Sequence, residues 1–388
     1  MDRTAHRVYL SKANMAHASD HIILRIDGAY GEGGGQILRT SLALSCVLGR
    51  PFDIVNIRKA RKKPGLQPQH LMAVKAAAAI SSASCNGVEL SSTEIQFRPA
   101  AVNGGDYSFD VSEKTGSAGS TSLIFQTILI PLLYARRPSS VSITGGTHVP
   151  LSPTFHYLRF VFLPILSKLG MNIDLEIEKW GWYPIGKGMI RARVSPVKEI
   201  KSIRMVERGA LARVNGLSAI SNLPRDIGVR QRNRAMNALQ QRGISSDIER
   251  ISAPSLGKGT LVFLRAEFGN VIAGFDALGA IGKPAEEVAD EACQGLFNYL
   301  DSDGSLDPHL ADQMIPYLAL ARGTSEFTTS RITRHLLTNI WVLQQFMDVD
   351  IQVEGKEGEQ GKVIVTPQPS NPVKGSSKRH EVLSDRKC

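Results

Sequence analysis

The chain contains 388 residues, of which 42% are hydrophobic and 21% charged, a composition typical of a folded globular protein and not of a disordered one. No apolar run reaches the roughly 18 residues of a membrane-spanning helix, and the first twenty residues lack the apolar core of a secretory signal. Four scattered cysteines form no CxxC pair, which argues against a disulfide framework or a structural zinc site and favours a reducing, intracellular compartment.

The net charge of +10 is concentrated in the first half of the chain. Residues 21–203 carry 21 Lys and Arg against 12 Asp and Glu, residues 204–303 carry 12 of each, and residues 304–366 carry 5 against 8. This asymmetry predicts a surface for a polyanion in the first half, with an ordinary soluble basic protein as the alternative.

Both ends of the chain have a composition typical of disorder. Residues 1–20 are polar and aperiodic, and residues 367–388 are rich in Pro, Ser and charge. The basic stretch 374–379 can be read as a weak nuclear import signal, but a plain solvated tail is the better interpretation of it. The presence of the two terminal extensions favours a nuclear over a cytoplasmic location.

Between the ends, the pattern predicts an α+β fold made of three copies of one unit, a sheet with two helices packed on it, over residues 21–203 and 304–366. Strands near 94–100, 172–180 and 189–196 alternate apolar and polar residues. A turn rich in Gly, Ser or Thr precedes one helix of each copy, at 31–36, 115–121 and 325–334. The expected helices lie near 37–49, 67–82, 122–135, 152–170, 307–321 and 335–346.

Residues 204–303 interrupt this pattern. They contain four expected strands and two expected helices, near 228–242 and 284–300. Pro284 suits the start of the second helix because its φ is fixed and it has no N–H to leave unpaired. The segment has no net charge, and we predict that it is a small α/β domain inserted into the third unit.

The first candidate site is the run 31–39, in which three consecutive glycines precede a helix. Consecutive glycines let the backbone approach an anion, and the positive end of the helix faces the same place. Arg39 could bind a phosphate through two nitrogens, and Glu32 could hold a divalent metal. The run matches neither the phosphate loop of NTPases nor the dinucleotide fingerprint, and a tight turn with an exposed Glu is the alternative.

The second motif places five cations in the six positions 58–63, followed by a loop that ends at Gln69 and His70. Such a run contacts phosphates in a salt-sensitive, sequence-independent way. We predict a phosphate site here, with a solvated charged loop as the alternative.

Two further motifs begin helices. Asp312 and Gln313 could hydrogen-bond a base or ribose, although Asp307 or Asp312 could equally cap the helix. His335 and Asn339 are four residues apart and share one helix face. From the residues alone, His335 could be a general base, a metal ligand, a nucleophile or a structural histidine.

Seven motifs in this order resemble those of the RNA 3′-terminal phosphate cyclases. They lie at 27–39, 57–70, 116–127, 143–148, 182–188, 309–313 and 333–339, and the resemblance covers about 21–366. It implies three repeated α+β units with an inserted small domain. It also implies a reaction in which ATP and a divalent cation, Mg²⁺ or Mn²⁺, convert an RNA 3′-phosphate to a 2′,3′-cyclic phosphate, with release of AMP and pyrophosphate.

The resemblance implies residue roles as well. His335 would be the nucleophile that takes AMP from ATP before AMP passes to the RNA 3′-phosphate, where the neighbouring 2′-hydroxyl displaces it. Glu32 is expected near the metal. The expected contacts with ATP are Gln126, His309, Leu310, Ala311, Asp312 and Gln313. The expected contacts with phosphates are Arg39, Arg58, Arg61, Gln69 and His70.

Two positions depart from the family's pattern: His309 stands where a Tyr is usual, and Lys187 interrupts the usual glycine run at 186–188. The expected partner is RNA with a 3′-phosphate end, and the oligomeric state stays open. One alternative is a cyclase-like factor that serves ribosome assembly without cyclising, a group that lacks the motif around His335. Another is an enolpyruvyl transferase, which would not need the basic run.

Overall fold

The computed structural model describes residues 23–112 and 118–368, so the predictions for residues 1–20 and 369–388 lie outside the described residues, as does the first part, 115–117, of the turn expected at 115–121. The fold is a mixed α+β fold, with four small mixed sheets in this part of the chain. None of the helices in the described ranges is both long and apolar enough to cross a membrane.

The first sheet has its first two strands parallel and the others antiparallel. Two helices follow its first two strands: α1 (Gly35–Leu48) and α2 (Pro68–Ser81). Helix α1 ends where Gly49 adopts a left-handed conformation, with φ of 63°. The spatial order of the strands is β1 (Leu24–Asp27), β2 (Phe52–Val55), β4 (Ile95–Arg98) and β3 (Ser84–Asn86).

The second sheet has the same order of strand directions. Its helices are α3 (Thr121–Leu133), α4 (Phe155–Tyr157) and α5 (Leu163–Lys168). The single helix expected over 152–170 is interrupted by a π-helical turn, Leu158–Phe162, because Pro164 has no N–H to continue the α-helical ladder. The strands are β5 (Asp106–Asp110), β6 (Ser139–Gly145), β8 (Gly188–Val194) and β7 (Ile173–Lys179).

The third sheet again pairs one parallel neighbour with two antiparallel ones. Its helices are α8 (Pro308–Ala319) and α9 (Arg334–Phe346). The segment 325–334, expected to be a turn, contains a strand instead, because alternate residues of Ser325–Thr329 are buried against the core. The strands are β15 (Val349–Glu354), β16 (Gly361–Pro367), β14 (Ser325–Thr329) and β9 (Arg204–Met205).

The fourth sheet lies within the segment predicted to be an inserted domain, which stays a prediction. Helices α6 (Arg225–Gln241) and α7 (Ala285–Leu300) pack on each other and on this sheet. Its strands are β11 (Ser246–Ser252), β10 (Leu211–Ser221), β12 (Gly259–Phe268) and β13 (Ile272–Leu278).

Helices from the first three sheets pack against one another. Helix α1 contacts α3 and α9, and α8 contacts α9. Their apolar faces join the sheets in one hydrophobic core that includes Leu38, Phe125, Leu310 and Leu336. The polar residues of these helices are thereby brought to one place.

Candidate active site

A cavity of about 590 Å³ lies among helices α1, α3 and α8 and the start of α9. The loop 149–154 and the segment 276–280 at the end of β13 form its other walls. Residues distant in sequence therefore meet here. The predicted site residues that line the cavity are Arg39, Gln126, His309, Asp312, Gln313 and His335.

Helix α8 presents only part of its motif to this cavity. Leu310 and Ala311 are fully buried in the hydrophobic core, so their side chains face away from the cavity. Gln313 accepts a hydrogen bond from the side-chain amide of Gln126, which joins α8 to α3. The cap of α8 is Asp307, whose carboxylate accepts hydrogen bonds at 3.0 Å from the backbone N–H groups of His309 and Leu310.

Asp312 joins the helices at the base of the cavity. Its carboxylate accepts a hydrogen bond from the Thr333 hydroxyl, and its backbone carbonyl accepts one from the Asn339 amide at 2.8 Å. Asn339 in turn accepts one from Thr40 at 2.7 Å. Asn339 is therefore a buried link between helices. Burial raises the pKa of Asp312 to about 8, so its carboxyl group is mostly protonated at neutral pH.

His335 lies in the first turn of α9, where Thr333 caps the helix by accepting from the backbone N–H of Leu336. Its side chain is 46% exposed, and its Nδ1 is 3.9 Å from a carboxylate oxygen of Glu32. Burial, and then the charges of Arg39, His309 and Arg61, lower the pKa of His335. The imidazole is therefore neutral at physiological pH, which is the form that a nucleophile or base needs.

One backbone contact and one side-chain contact fix the position of Glu32. Its backbone N–H donates to the Thr338 hydroxyl at 3.2 Å, and its carboxylate forms an ion pair with Arg61. Among the described residues no three His, Cys, Asp or Glu side chains are grouped to hold a metal. Mg²⁺ in nucleotide enzymes commonly takes one or two carboxylates together with substrate phosphates. Glu32 suits a metal shared with phosphates and does not suit an all-protein metal site.

His70 and Arg39 lie side by side near the start of α1. His70 is 4% exposed, and its Nδ1 accepts the backbone N–H of Gln67 at 3.2 Å. Burial, and then the charges of Arg39 and Arg58, lower the pKa of His70 to about 3. Burial also lowers the pKa of Arg39 to about 10. A Cβ on Gly35 would lie 2.4 Å from the His70 Nε2, so this close approach requires glycine.

Gln69 and Arg58 do not line the cavity and instead hold loops around it. Gln69 accepts the backbone N–H of Ser120, the cap of α3, at 3.2 Å. Arg58 donates to the carbonyls of Lys63 at 2.5 Å and Gly65 at 3.1 Å. Arg58, the first cation of the basic run, therefore joins the two ends of the loop that contains the run.

Sequence reasoning missed the wall that faces His309. The Thr154 hydroxyl donates to Asp276 of β13 at 2.5 Å, and the Tyr157 ring meets the His309 ring edge-on with centroids 6.4 Å apart. Burial raises the pKa of Asp276. The sequence offered one signal, the acidic residue Asp276 within the apolar strand β13. No local pattern linked it to Thr154.

The sequence of this chain is similar to those of known proteins. Residues 30–353 match the family model of the RNA 3′-terminal phosphate cyclases. The RNA 3′-terminal phosphate cyclase of Pyrobaculum aerophilum is 44% identical over 86% of this chain and 96% of its own length. That of Methylococcus capsulatus is 44% identical over 90% and 98%, and that of Archaeoglobus fulgidus is 43% identical over 86% and 99%. These relatives are bacterial and archaeal and so give the expected nuclear location no support.

Among solved structures, the enolpyruvyl transferase NikO from Streptomyces tendae is 9% identical to this chain, with a TM-score of 0.36. The match covers 89% of this chain and about half, 48%, of that one, and its TM-score is too low to support an argument about fold or function. The family match and the curated relatives agree along most of the sequence, and the chain belongs to the RNA 3′-terminal phosphate cyclase family.

Proposed function

We propose that this protein converts an RNA 3′-terminal phosphate to a 2′,3′-cyclic phosphodiester, using ATP and a covalent histidine–AMP intermediate. The observation that carries the proposal is His335, a neutral and half-exposed imidazole at a cavity that also contains Arg39. Membership of the cyclase family supports the overall reaction.

His335 acts as the nucleophile. Its Nδ1 faces the Glu32 carboxylate, an arrangement that favours the ring proton on Nδ1 and leaves the lone pair of Nε2 free. Nε2 attacks the α-phosphorus of ATP, a P–N bond forms, and pyrophosphate leaves. The covalent intermediate divides one difficult displacement into easier steps.

The RNA 3′-phosphate then displaces the histidine, and an oxygen of that phosphate becomes bonded to AMP. The adjacent 2′-hydroxyl attacks the 3′-phosphorus, the ring closes, and AMP leaves. Arg39 and the neutral N–H of His70 donate to the phosphate oxygens on which negative charge increases. Burial of these donors strengthens the interaction, since little water competes for the phosphate.

Helix α8 and the wall opposite it hold the nucleotide. His309, Asp312 and Gln313 present side chains to the cavity, and the mostly protonated Asp312 can donate as well as accept a hydrogen bond. The imidazole of His309 can stack on a purine. Because 276–280 forms one wall, the inserted segment contributes to nucleotide binding in this proposal.

Glu32 would hold the divalent cation, Mg²⁺ or Mn²⁺, together with phosphate oxygens. When bound, such an ion neutralises phosphate charge during transfer. The Glu32 carboxylate lies between Arg61, with which it forms an ion pair, and His335.

We also infer that the first three sheets are copies of one unit, because in each the strands lie side by side in the chain order first, second, fourth and third. The fourth sheet has the same strand directions but a different chain order, β11-β10-β12-β13. The predicted import signal at 374–379 lies outside the described residues, and the nuclear location stays a prediction.

The test of the mechanism is incubation with ATP labelled at the α-phosphate. We expect the parent to retain label through an acid-labile bond, on the peptide that contains residues 333–339. His335→Asn should fold, bind ATP, carry no label and form no cyclic ends. It should still close the ring on RNA supplied with AMP already on its 3′-phosphate.

A matched control is His156→Asn, which changes a buried histidine outside the cavity and should keep the label if the variant folds. Label on a lysine, or normal cyclisation by His335→Asn, would contradict the mechanism. A parent that takes label but cyclises no RNA would limit the proposal to the first step.

A further inference from the structure

Two neighbouring loops expose a group of large apolar side chains outside the cavity. Tyr183 is 67% exposed and Ile185 is 45% exposed on the loop 180–188, and Leu256 is 75% exposed on the loop 253–259. A Cβ on Gly257 would contact Ile185 at 3.6 Å, so the two loops touch. We name Tyr183, Ile185 and Leu256 the Tyr183 platform.

The platform is rigidly supported from below. Trp182 is 3% exposed and packs so closely on Gly259 that a Cβ there would lie 2.1 Å from its ring. The Ser255 hydroxyl donates to the Trp180 carbonyl at 2.8 Å, and the Gly186 N–H donates to the Trp182 carbonyl at 2.7 Å. A rigid loop that holds an aromatic ring in solvent gains no packing from that ring within the fold, which is typical of a ring that contacts a ligand.

The two loops of the platform carry two exposed cations, Lys187 and Lys258, and no acidic residue of their own. An acid outside these loops, Asp110, meets Lys187 through the Ser112 hydroxyl, which donates to the Asp110 carboxylate at 2.5 Å. Lys187 adopts a φ of 57°, a conformation that costs a non-glycine residue free energy. Its ammonium donates to the Ser112 hydroxyl at 2.6 Å. An exposed aromatic ring beside cations suits unpaired nucleotides, whose bases stack and whose phosphates carry charge.

Packing contacts link the platform to His70, which lies beside Arg39 of the cavity wall. A Cβ on Gly186 would lie 2.9 Å from the Cα of Ala118, so the loop rests on the segment that precedes α3. A Cβ on the next residue, Gly119, would lie 3.0 Å from Gln69, which is adjacent to His70. A nucleotide chain whose terminal phosphate lies beside His70 therefore has a short path to Tyr183.

We propose that the Tyr183 platform binds the unpaired nucleotides upstream of the RNA 3′ end, by stacking on Tyr183 and by phosphate contacts with Lys187 and Lys258. This inference rests on the proposed function, since it places the body of the same RNA substrate. It makes the enzyme sensitive to the length and single-strandedness of the RNA end.

The test is direct binding without ATP. Labelled oligoribonucleotides of two and eight residues with a 3′-phosphate, together with a nucleoside 3′-phosphate, are titrated against the full chain. The parent should bind the longest most tightly. Tyr183→Ala should weaken binding of the longest by roughly 5- to 150-fold and leave the nucleoside 3′-phosphate unaffected, while Tyr183→Trp should retain binding. The exposed Leu90, 48% accessible on another loop, provides the control Leu90→Ala.

A second variant, Lys187→Gln with Lys258→Gln, should lower the slope of log affinity against log salt by about 1.4 for two single-strand contacts. The inference is overturned if Tyr183→Ala binds every length as the parent does, or if the parent binds all lengths equally. In either case the platform serves another partner, such as a protein. Failure of the proposed function is seen separately, as absence of label from α-labelled ATP in the parent.

Discussion

Three arginines in or just after α6 and the cations of residues 58–63 show two opposite ways of placing positive charge. Arg230, Arg234 and Arg242 each form an ion pair with a carboxylate, those of Glu286, Asp290 and Asp301. In the basic loop, by contrast, Arg61 pairs with Glu32, and among the described residues Lys59, Lys62 and Lys63 have no carboxylate partner. These three arginines are neutralised within the fold, whereas the three lysines of the loop are left for a ligand.

The pKa values of two carboxyl groups show the same difference between a group with a counterion and a group without one. The Arg230 guanidinium lowers the pKa of Glu286 to about 2. Asp312, which is buried and forms its side-chain hydrogen bond with a neutral hydroxyl, has its pKa raised to about 8. We infer that paired charges support structure, whereas cations without a counterion and a buried neutral carboxyl group mark the surface that meets substrate. The four predictions below test that distinction.

The largest effect is expected from the unpaired lysines. Changing Lys59, Lys62 and Lys63 together to Gln should lower RNA affinity by roughly 10- to 100-fold near physiological salt, because about three phosphate contacts are lost. Binding measured across a salt series should show the slope reduced by about 2. An unchanged slope would mean that the loop is a solvated charged surface.

Glu32→Gln should raise the Mg²⁺ concentration needed for half-maximal cyclisation several-fold, because it removes the carboxylate nearest His335. It also frees Arg61, so RNA binding without metal should become more salt-dependent. The control is Glu357→Gln, which breaks the surface ion pair with Arg334. Equal Mg²⁺ titrations for Glu32→Gln and the parent would show that Glu32 only supports the turn.

Asp312→Asn tests the buried carboxyl. The pKa of Asp312 in the fold, about 8, lies above its ordinary value of 3.8, so its contribution to stability is fully present below pH about 4 and is lost as the pH rises through about 8. The amide keeps the acceptor for Thr333 but does not titrate. Urea unfolding across this range should show a flatter dependence of the free energy of unfolding on pH in the variant. An identical dependence would place the titrating group elsewhere.

The smallest effect is expected from the paired arginines. Changing Arg230, Arg234 and Arg242 to Gln should leave the salt dependence of RNA binding as in the parent, because these cations are already neutralised. It should lower the thermal midpoint slightly, by an amount that shrinks as salt is added. A marked loss of RNA affinity would contradict the distinction between paired and free cations.

The sequence predicted the helices best, because a repeated apolar face is a local property. The expected helices at 37–49, 67–82 and 335–346 agree with α1, α2 and α9 to within a few residues. The sequence did not predict β14, since Ser325–Thr329 is polar and becomes a strand only through its partners in the third sheet. The period of the apolar residues likewise did not predict the π-helical turn beside Pro164.

The candidate site likewise contains residues that the sequence predicted and residues that it did not. Motif spacing and family resemblance brought forward Arg39, His335 and Asp312, which the structure places around one cavity. The Thr154–Asp276 hydrogen bond joins residues 122 positions apart and depends on how β13 packs near α4. No local pattern contains that information. The roles of the site residues stay predictions until the labelling and binding experiments are done.

The hydrogen bond that caps α2 determines which ring nitrogen of His70 carries its proton. Because Nδ1 accepts the backbone N–H of Gln67, and the ring stays neutral with a pKa of about 3, the single proton must reside on Nε2. The one lone pair of the neutral ring, on Nδ1, accepts the Gln67 N–H and is unavailable to attack phosphorus. In the proposed mechanism His70 can therefore donate to a phosphate but cannot attack one, which leaves His335 as the nucleophile of the two histidines.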